Sequence, residues 1–171
     1  MKTLRTGLIL ATTFILTACG FKPMHAPTAF GGKGVSMQNI TVQMQANEKI
    51  DFLLAQALRD RMGDNRATPY ILKISPEKKR RSLGIGADDV ASRYDMVLET
   101  EFELVDAKTG VVVYHGDVRA VSTYGAPRDP YGTIAAQANA EEQVASEAAD
   151  RIIAKLAGYQ ASIEATSTEA K

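Results

Sequence analysis

The sequence has a single cysteine and only two histidines among its 171 residues. One cysteine cannot form an internal disulfide, so packing alone must stabilise the fold. His25 and His115 have no candidate catalytic neighbour, and no Ser, His and Asp set has the spacing of a known motif. A metal site would have to use carboxylates alone, and their spacing indicates none. We therefore expect neither an enzyme nor a cofactor.

An excess of either charge is also missing, since 20 basic side chains balance 20 acidic ones. Lys2 and Arg5 lie in a stretch that we expect to be removed, as argued below. Without them, 18 basic side chains remain against the 20 acidic ones, a net charge of about −2. Such a chain has no general attraction to nucleic acid, so an anionic ligand would have to bind a local cluster.

No hydrophobic run is long enough to span a membrane. The apolar stretch from Gly7 to Leu16 is about half of the roughly 20 residues that a membrane-spanning helix needs. It follows Lys2 and Arg5 and ends in Leu16-Thr17-Ala18-Cys19, the pattern of a lipobox. An ordinary signal peptide with a chance cysteine is the less favoured interpretation. We predict a lipoprotein signal peptide over residues 1–18 and lipidation of Cys19.

The lipid anchor indicates where the protein resides. Acylation of the Cys19 sulfur and of the new N-terminus would give three acyl chains, and one chain alone gives only marginal membrane binding. Gly20 stands where an aspartate would resemble an inner-membrane retention signal. The expected location is therefore the periplasmic face of the outer membrane.

Periodicity beyond the signal indicates one α+β domain. Residues 19–36 are rich in glycine and proline and form a flexible tether, and residues 37–158 form the domain, followed by a disordered tail over residues 159–171. Alternating or helical apolar patterns predict strands at 38–44, 70–74, 94–105 and 111–123, and helices at 47–62 and 133–157. The expected fold is a four-stranded mixed or antiparallel sheet, with two helices packed on one face and the order βαβββα.

Smaller predictions accompany this fold. Asn47 is expected to cap the first helix, and Gly63 and Gly158 to end the two helices. Asp106–Gly110 should form a hairpin turn, and Arg119 should pair with the acidic row on the preceding strand. The inner side of the last helix should comprise Ile134, Ala138, Ala145, Ala148, Ala149, Ile152, Ile153 and Leu156.

The most basic stretch is Lys78-Lys79-Arg80-Arg81, which we call the basic cluster. We place it in a loop or at a strand end, followed by the flexible residues 82–87. Its four cations could bind phosphates, because arginine offers a planar fork and lysine a point charge. They could equally be solvated charges that prevent an edge strand from pairing with other chains.

The lipobox with Gly20-Phe21, the βαβββα order and the segment Arg151–Leu156 together resemble the LptE-type LPS-assembly lipoproteins. The resemblance implies a small lipoprotein that sits inside the barrel of the outer-membrane LPS translocon, as plug and assembly partner, and contacts LPS. It also implies that basic residues between the second and third strands bind lipid A phosphates, which points to the basic cluster. A second basic position of the family falls at Gln137, with Arg128 nearby.

Two other functions fit the same sequence. One is an accessory lipoprotein of an ABC-type lipid transport system, and the other is a structural envelope lipoprotein that binds no lipid. Co-purification distinguishes the three, since each requires a different partner: an outer-membrane barrel, an inner-membrane ATPase complex, or neither.

Overall fold

The computed structural model describes residues 37–64, 66, 68–85, 91–127 and 129–169. The expected signal peptide, the lipidation site Cys19 and the tether over residues 19–36 lie outside this range, as does Arg128. No helix within the described ranges combines the length and apolar character needed to cross a membrane.

The elements follow the predicted order. After a short 3-10 helix (Met37–Asn39) come β1 (Ile40–Met44), α1 (Lys49–Met62), β2 (Tyr70–Ile85), β3 (Ala91–Asp106), β4 (Val112–Gly125) and α2 (Pro130–Glu169). This arrangement confirms the α+β class and the βαβββα order.

The four strands form one mixed sheet in the order β1-β2-β3-β4. β1 runs parallel to β2, from Ile40 opposite Tyr70 to Met44 opposite Ile74. The other two pairings are antiparallel. Because β1 ends opposite Ile74, the hairpin of β2 and β3 extends well beyond it.

β2 is much longer than the predicted strand over residues 70–74. Its continuation carries Pro76 and a run of charges, so no apolar alternation marks it in the sequence. The extension pairs residue by residue with β3, and the register shifts only near its end, between Ser82 and Gly84 and between Gly84 and Ile85. Cross-strand hydrogen bonds, rather than local pattern, therefore extend this strand.

Both helices pack on one face of the sheet and form the core with it. Met96, Leu98, Thr100, Phe102 and Leu104 of β3 are buried on this face, as the alternation predicts. The largest fully buried side chains of the other elements are Ile40, Ile50, Leu54, Leu58, Leu72, Ile152 and Leu156. This face is called the helix face below, and the opposite one the open face.

The prediction that Ile134 belongs to the inner row of α2 is wrong. Ile134 is 67% exposed. Ser122 on β4 donates a hydrogen bond to Gln143, and Lys155 reaches back to the carbonyl of Asp117, so α2 runs antiparallel to β4. The buried residues of α2 begin at Ala140, which leaves Ile134 outside the packed part of the helix.

The start of α1 also differs from the prediction. Glu48, not Asn47, is the N-cap residue. The Oδ2 atom of Asp51 accepts the backbone N–H groups of Asn47 and Glu48, both at 2.9 Å. The first turn is thus held by a carboxylate three residues after the cap, which suits the positive end of the helix dipole. At the other end, Gly63 takes a positive φ of 89° and caps the helix as predicted.

α2 continues past Gly158, so the predicted helix end and disordered tail are wrong as far as Glu169. A helical glycine costs about 1 kcal/mol relative to alanine. Tertiary contacts beyond it offset this cost, since Tyr159 stacks on Tyr114 with ring centroids 4.5 Å apart. Ile163 packs against the edge of the core as well.

The predicted hairpin turn between β3 and β4 is confirmed. The Gly110 N–H donates to the carbonyl of Asp106 at 2.9 Å, and Gly110 has a φ of 72°. The backbone N–H groups of Thr109 and Lys108 both donate to the Asp106 carboxylate, which lowers its pKa from the ordinary value of 3.8.

Candidate anion-binding site

The basic cluster lies within β2 and not in a connecting loop, which corrects its predicted location. Lys78, Lys79, Arg80 and Arg81 stand opposite Leu98, Val97, Met96 and Asp95 of β3. Alternate residues of a strand point to opposite faces. Lys78 and Arg80 therefore belong to the helix face, and Lys79 and Arg81 to the open face. The four cations cannot converge on one phosphate.

Lys78 is engaged in internal ion pairs. Its Nζ atom lies 2.5 Å from the carboxylate of Glu48 and 3.8 Å from that of Glu141. The hydrogen bond to Glu48 raises the pKa of Lys78 above 10.5 against the opposing effect of burial, and the charges of Glu141 and Asp51 add to the rise. Lys78 therefore connects β2 to the start of α1 and to α2.

Glu141 is the residue that sequence reasoning missed here. Its side chain is only 9% exposed, and Lys49 also approaches it at 3.6 Å. Glu141 follows Ala138 by three residues and precedes Ala145 by four, so it lies on the inner row of α2. A charged residue in an otherwise apolar row was the available signal for a buried ion pair.

Lys79 is neutralised on the open face. Its Nζ atom lies 2.6 Å from Glu99 and 3.0 Å from Glu77. The hydrogen bond to Glu99 raises the pKa of Lys79 and lowers that of Glu99. Arg119 also approaches Glu99, at 3.5 Å, which confirms the predicted pairing with the acidic row.

Arg80 stacks on an aromatic pair. Its guanidinium carbon lies 4.9 Å from the ring centroid of Tyr94, and the Tyr94 ring stacks on that of Tyr124 at 5.6 Å. This cation–π contact orients Arg80 without neutralising its charge. Arg80 is exposed, and its guanidinium N–H groups make no hydrogen bond to any residue that the structure describes, which suits them to bind an anion.

Arg81 and Arg93 are both exposed, and neither makes a salt bridge or hydrogen bond within the described ranges. The charge of Arg81 acts on Glu99 only from a distance, as the smallest contribution to the lowered pKa of that carboxyl. Arg81 stands opposite Asp95, and Arg93 lies two residues before Asp95 on the same face. Diagonal neighbours of this kind are about 7–8 Å apart. Asp95 is thus a neighbour of both arginines, and it accepts a hydrogen bond from the Thr123 hydroxyl at 2.6 Å.

The second basic position expected from the family is absent. Gln137 stands one turn before Glu141 on α2 and donates a hydrogen bond to it at 3.4 Å. Through Glu141, this position lies beside Lys78, so the fold does bring the two expected positions together. In this chain, however, the Gln137 amide and the Glu141 carboxylate lie beside Lys78, and Lys78 is already paired.

In the part of the chain that the structure describes, no group of three His, Cys, Asp or Glu side chains could hold a metal ion. A groove of about 470 Å³ opens where β1 ends beside β2, between Gln45 and Ser75. Its lining includes Lys73 but none of the four cluster residues.

The mixed sheet with two helices on one face defines a class of bacterial lipoprotein domains. A Caulobacter crescentus lipoprotein is 30% identical to this chain, covering 74% of this chain and 93% of its own, with a TM-score of 0.62. Rare lipoprotein B from Shewanella oneidensis shares the fold at 15% identity, 73% and 98% coverage and a TM-score of 0.55. A minor lipoprotein from Acinetobacter baumannii does so at 15% identity, 72% and 92% coverage and a TM-score of 0.56.

The model of the LptE lipopolysaccharide-assembly family matches residues 37–156. The chain therefore belongs to the LptE family, as the sequence resemblance indicates, and has a role in LPS assembly. No protein with curated annotation matches it by sequence.

Proposed function

We propose that the protein is an outer-membrane lipoprotein, anchored through Cys19 on the periplasmic side, that plugs the barrel of the LPS translocon and assists its assembly. Family membership supports the general role in LPS assembly. The lipobox supports the anchor. This role requires no catalytic group and no cofactor, because the protein acts by binding the barrel and LPS.

We further propose that LPS phosphates are contacted by the arginines at the end of the hairpin. The supporting observation is that the lysines and arginines of the basic cluster differ in their contacts. Lys78 and Lys79 are each held by a carboxylate of the domain. Arg80 and Arg81 make no ion pair with any described residue, and Arg93 lies beside Arg81 on the open face. An arginine binds phosphate through two parallel hydrogen bonds, which makes these residues suited to the task.

The test compares two double variants on the open face. Arg81→Gln/Arg93→Gln removes two unpaired cations, whereas Lys79→Gln/Arg119→Gln removes two that are paired with Glu99. Both change the net charge equally. We expect the first to weaken binding of purified LPS by about tenfold or more and the second by about twofold or less, because charge-assisted hydrogen bonds to phosphate are lost only in the first.

Repeating the measurement with enzymatically dephosphorylated LPS identifies the group that is recognised. The difference between the two variants should disappear, since the phosphate contacts are then absent in both. Equal losses in the two variants would show that only net charge matters. Unchanged affinity in the Arg81 and Arg93 variant would place the contact elsewhere.

The barrel partner is tested by crosslinking in intact cells. A photoreactive amino acid replaces Val121 on the open face in one strain and Phe52 on α1 in another, since both side chains are exposed. We expect at least one position to crosslink to an outer-membrane protein whose mobility in gels changes on heating, as for β-barrels. Crosslinks only to an inner-membrane ATPase complex, or to no protein, would refute the role.

A further inference from the structure

The β4 edge of the sheet and the part of β2 that extends beyond β1 differ in how their backbone groups are satisfied. On β4, the Arg151 side chain donates to the carbonyl oxygen of Arg119 at 2.6 Å, and Lys155 donates to that of Asp117 at 2.5 Å. Both carbonyls therefore point away from β3. Two side chains of α2 thus occupy this part of the β4 edge and prevent another strand from pairing there.

The β2 edge beyond Ile74 has no neighbouring strand in the described part of the chain. Arg119 stands opposite Glu99, which stands opposite Glu77. Because the Arg119 carbonyl points away from β3, Arg119 and Glu99 are a non-hydrogen-bonded pair, and the backbone groups of Glu99 point toward β2. Glu99 and Glu77 therefore form a hydrogen-bonded pair, with their backbone groups facing each other. Those of the adjacent residues on β2, Pro76 and Lys78, consequently face outward.

Pro76 independently supports this orientation, since a proline lacks the N–H and is tolerated in a strand where that position faces outward. By the same alternation, the backbone N–H and C=O groups of Lys78 and Arg80 point outward along the β2 edge, where no described strand pairs with them. The groove of about 470 Å³ between Gln45 and Ser75 lies in line with β1, at the point where this edge begins. Another chain could therefore enter beside the end of β1.

We propose that the β2 edge from Ser75 to Arg81 binds an extended, acidic segment of a partner protein as an additional strand. Charge complementarity identifies the occupant. Over residues 73–81 the strand carries one acidic side chain, Glu77, and five cations, Lys73, Lys78, Lys79, Arg80 and Arg81. Lys78 and Lys79 are held by carboxylates of the domain, so Lys73, Arg80 and Arg81 carry the charge that is available to a partner. A second copy would present the same cations, and like charges directly opposite one another are destabilising. The inference does not depend on LPS binding.

Hydrogen exchange of the full chain in detergent micelles tests this directly. The probe is a synthetic peptide of alternating glutamate and valine, and the control is one of alternating lysine and valine. The amides of Lys78 and Arg80 should exchange about tenfold or more slowly with the acidic peptide and remain unprotected with the basic one. Unchanged exchange with the acidic peptide overturns the proposal. Protection that grows with protein concentration without peptide also overturns it, in favour of a second copy.

A pair of variants at one position separates backbone from side-chain effects. Arg80→Pro and Arg80→Val both lose the charge and the contact with Tyr94, but only the proline also removes the outward N–H. We expect the acidic peptide to bind Arg80→Pro about tenfold more weakly than Arg80→Val, because the hydrogen bond of the added strand is lost. Equal affinities overturn the proposal. Melting curves check that both variants fold, and if the proline variant does not, the exchange experiment decides.

Discussion

The Nζ atom of Lys78 lies 2.5 Å from the carboxylate of Glu48, the N-cap residue of α1. This ion pair joins the middle of the hairpin to the start of a helix that is far from it in sequence. Glu141 of α2 approaches the same ammonium group at 3.8 Å. The Lys78 side chain thus connects β2, α1 and α2, so it stabilises the packing of these three elements.

Replacing Lys78 by methionine should therefore destabilise the fold. Methionine retains most of the side-chain volume but leaves Glu141, which is 9% exposed, with Lys49 as its one cationic partner among the described residues. We expect the free energy of unfolding to fall by about 1 kcal/mol at neutral pH. Lys79→Met should have a smaller effect, because neither carboxylate beside Lys79 is as buried as Glu141. Urea denaturation of the two variants measures both changes.

The pH dependence gives this prediction a specific sign. The pKa of Lys78 is raised above 10.5 in the folded protein. The stabilising contribution is thus complete below about pH 10 and is lost as the pH rises through the folded-state pKa. The stability difference between wild type and Lys78→Met should be constant over neutral and mildly alkaline pH and shrink above about pH 10.5. A difference that shrinks near neutral pH instead would contradict the assignment.

Gly116 provides a second prediction, about packing. A Cβ atom at this position would lie 2.8 Å from Cζ of Phe102, whose side chain is 1% exposed. The ring cannot move away without disturbing the core, so Gly116→Ala should cost about 1–3 kcal/mol. Phe102→Leu should relieve this clash. The double variant is therefore expected to be less destabilised than the sum of the two single variants, by about 0.5 kcal/mol or more.

Gly110→Ala is the control for this cycle. Gly110 has a positive φ of 72° and nothing within 4 Å of its would-be Cβ. Its substitution should cost about 1–2 kcal/mol through backbone strain alone. The effect should add to that of Phe102→Leu without coupling. Coupling at Gly110, or its absence at Gly116, would show that the Phe102 ring does not restrict the glycine.

The strands that could be predicted from sequence are those with a strong apolar alternation. β3 alternates Met96, Leu98, Phe102 and Leu104 with residues that are mostly charged, so its location and the face toward the helices could be read from sequence. The outer half of β2 has no such pattern, because its charged side chains alternate between two faces that are both partly solvated. Its strand structure comes from pairing with β3, a long-range effect that a local pattern does not reveal.

The site could be predicted in its residues but not in its organisation. Four adjacent cations are visible in any sequence, whereas their partners Glu48, Glu99 and Glu141 lie on other elements. Only the fold shows that Lys78 and Lys79 are paired, whereas Arg80 and Arg81 make no ion pair with the residues that the structure describes. Arg93 was overlooked for the same reason, since it lies on a different strand and becomes a neighbour of Arg81 only through the register.

Thr100 gives a third prediction, about a buried hydroxyl. Its Oγ1 atom is buried and has no hydrogen-bond partner in the described part of the chain, and the residue is 2% exposed. Valine has nearly the same shape without the polar group, so Thr100→Val should stabilise the protein by about 1 kcal/mol. Thr123→Val, which removes the hydrogen bond to Asp95, should give no such gain. Thermal unfolding decides, and a lower melting temperature for Thr100→Val would contradict the prediction.

The β4 edge gives the last prediction. Arg151 and Lys155 occupy the outward carbonyls of Arg119 and Asp117. Arg151→Leu/Lys155→Leu would free these acceptors and add apolar surface beside them, which is the usual condition for edge-to-edge association. We expect concentration-dependent oligomers in light scattering.

A matched control tests whether this association comes from the edge itself. Arg59→Leu/Arg66→Leu makes the same change in charge and apolar surface, at residues whose ion pairs with Asp64 are long, 3.9 Å and 4.0 Å. This variant should stay as monomeric as the wild type, because it exposes no backbone acceptor. If both variants associate equally, added surface hydrophobicity is the cause. Association confined to the β4 variant shows that the α2 side chains block this edge.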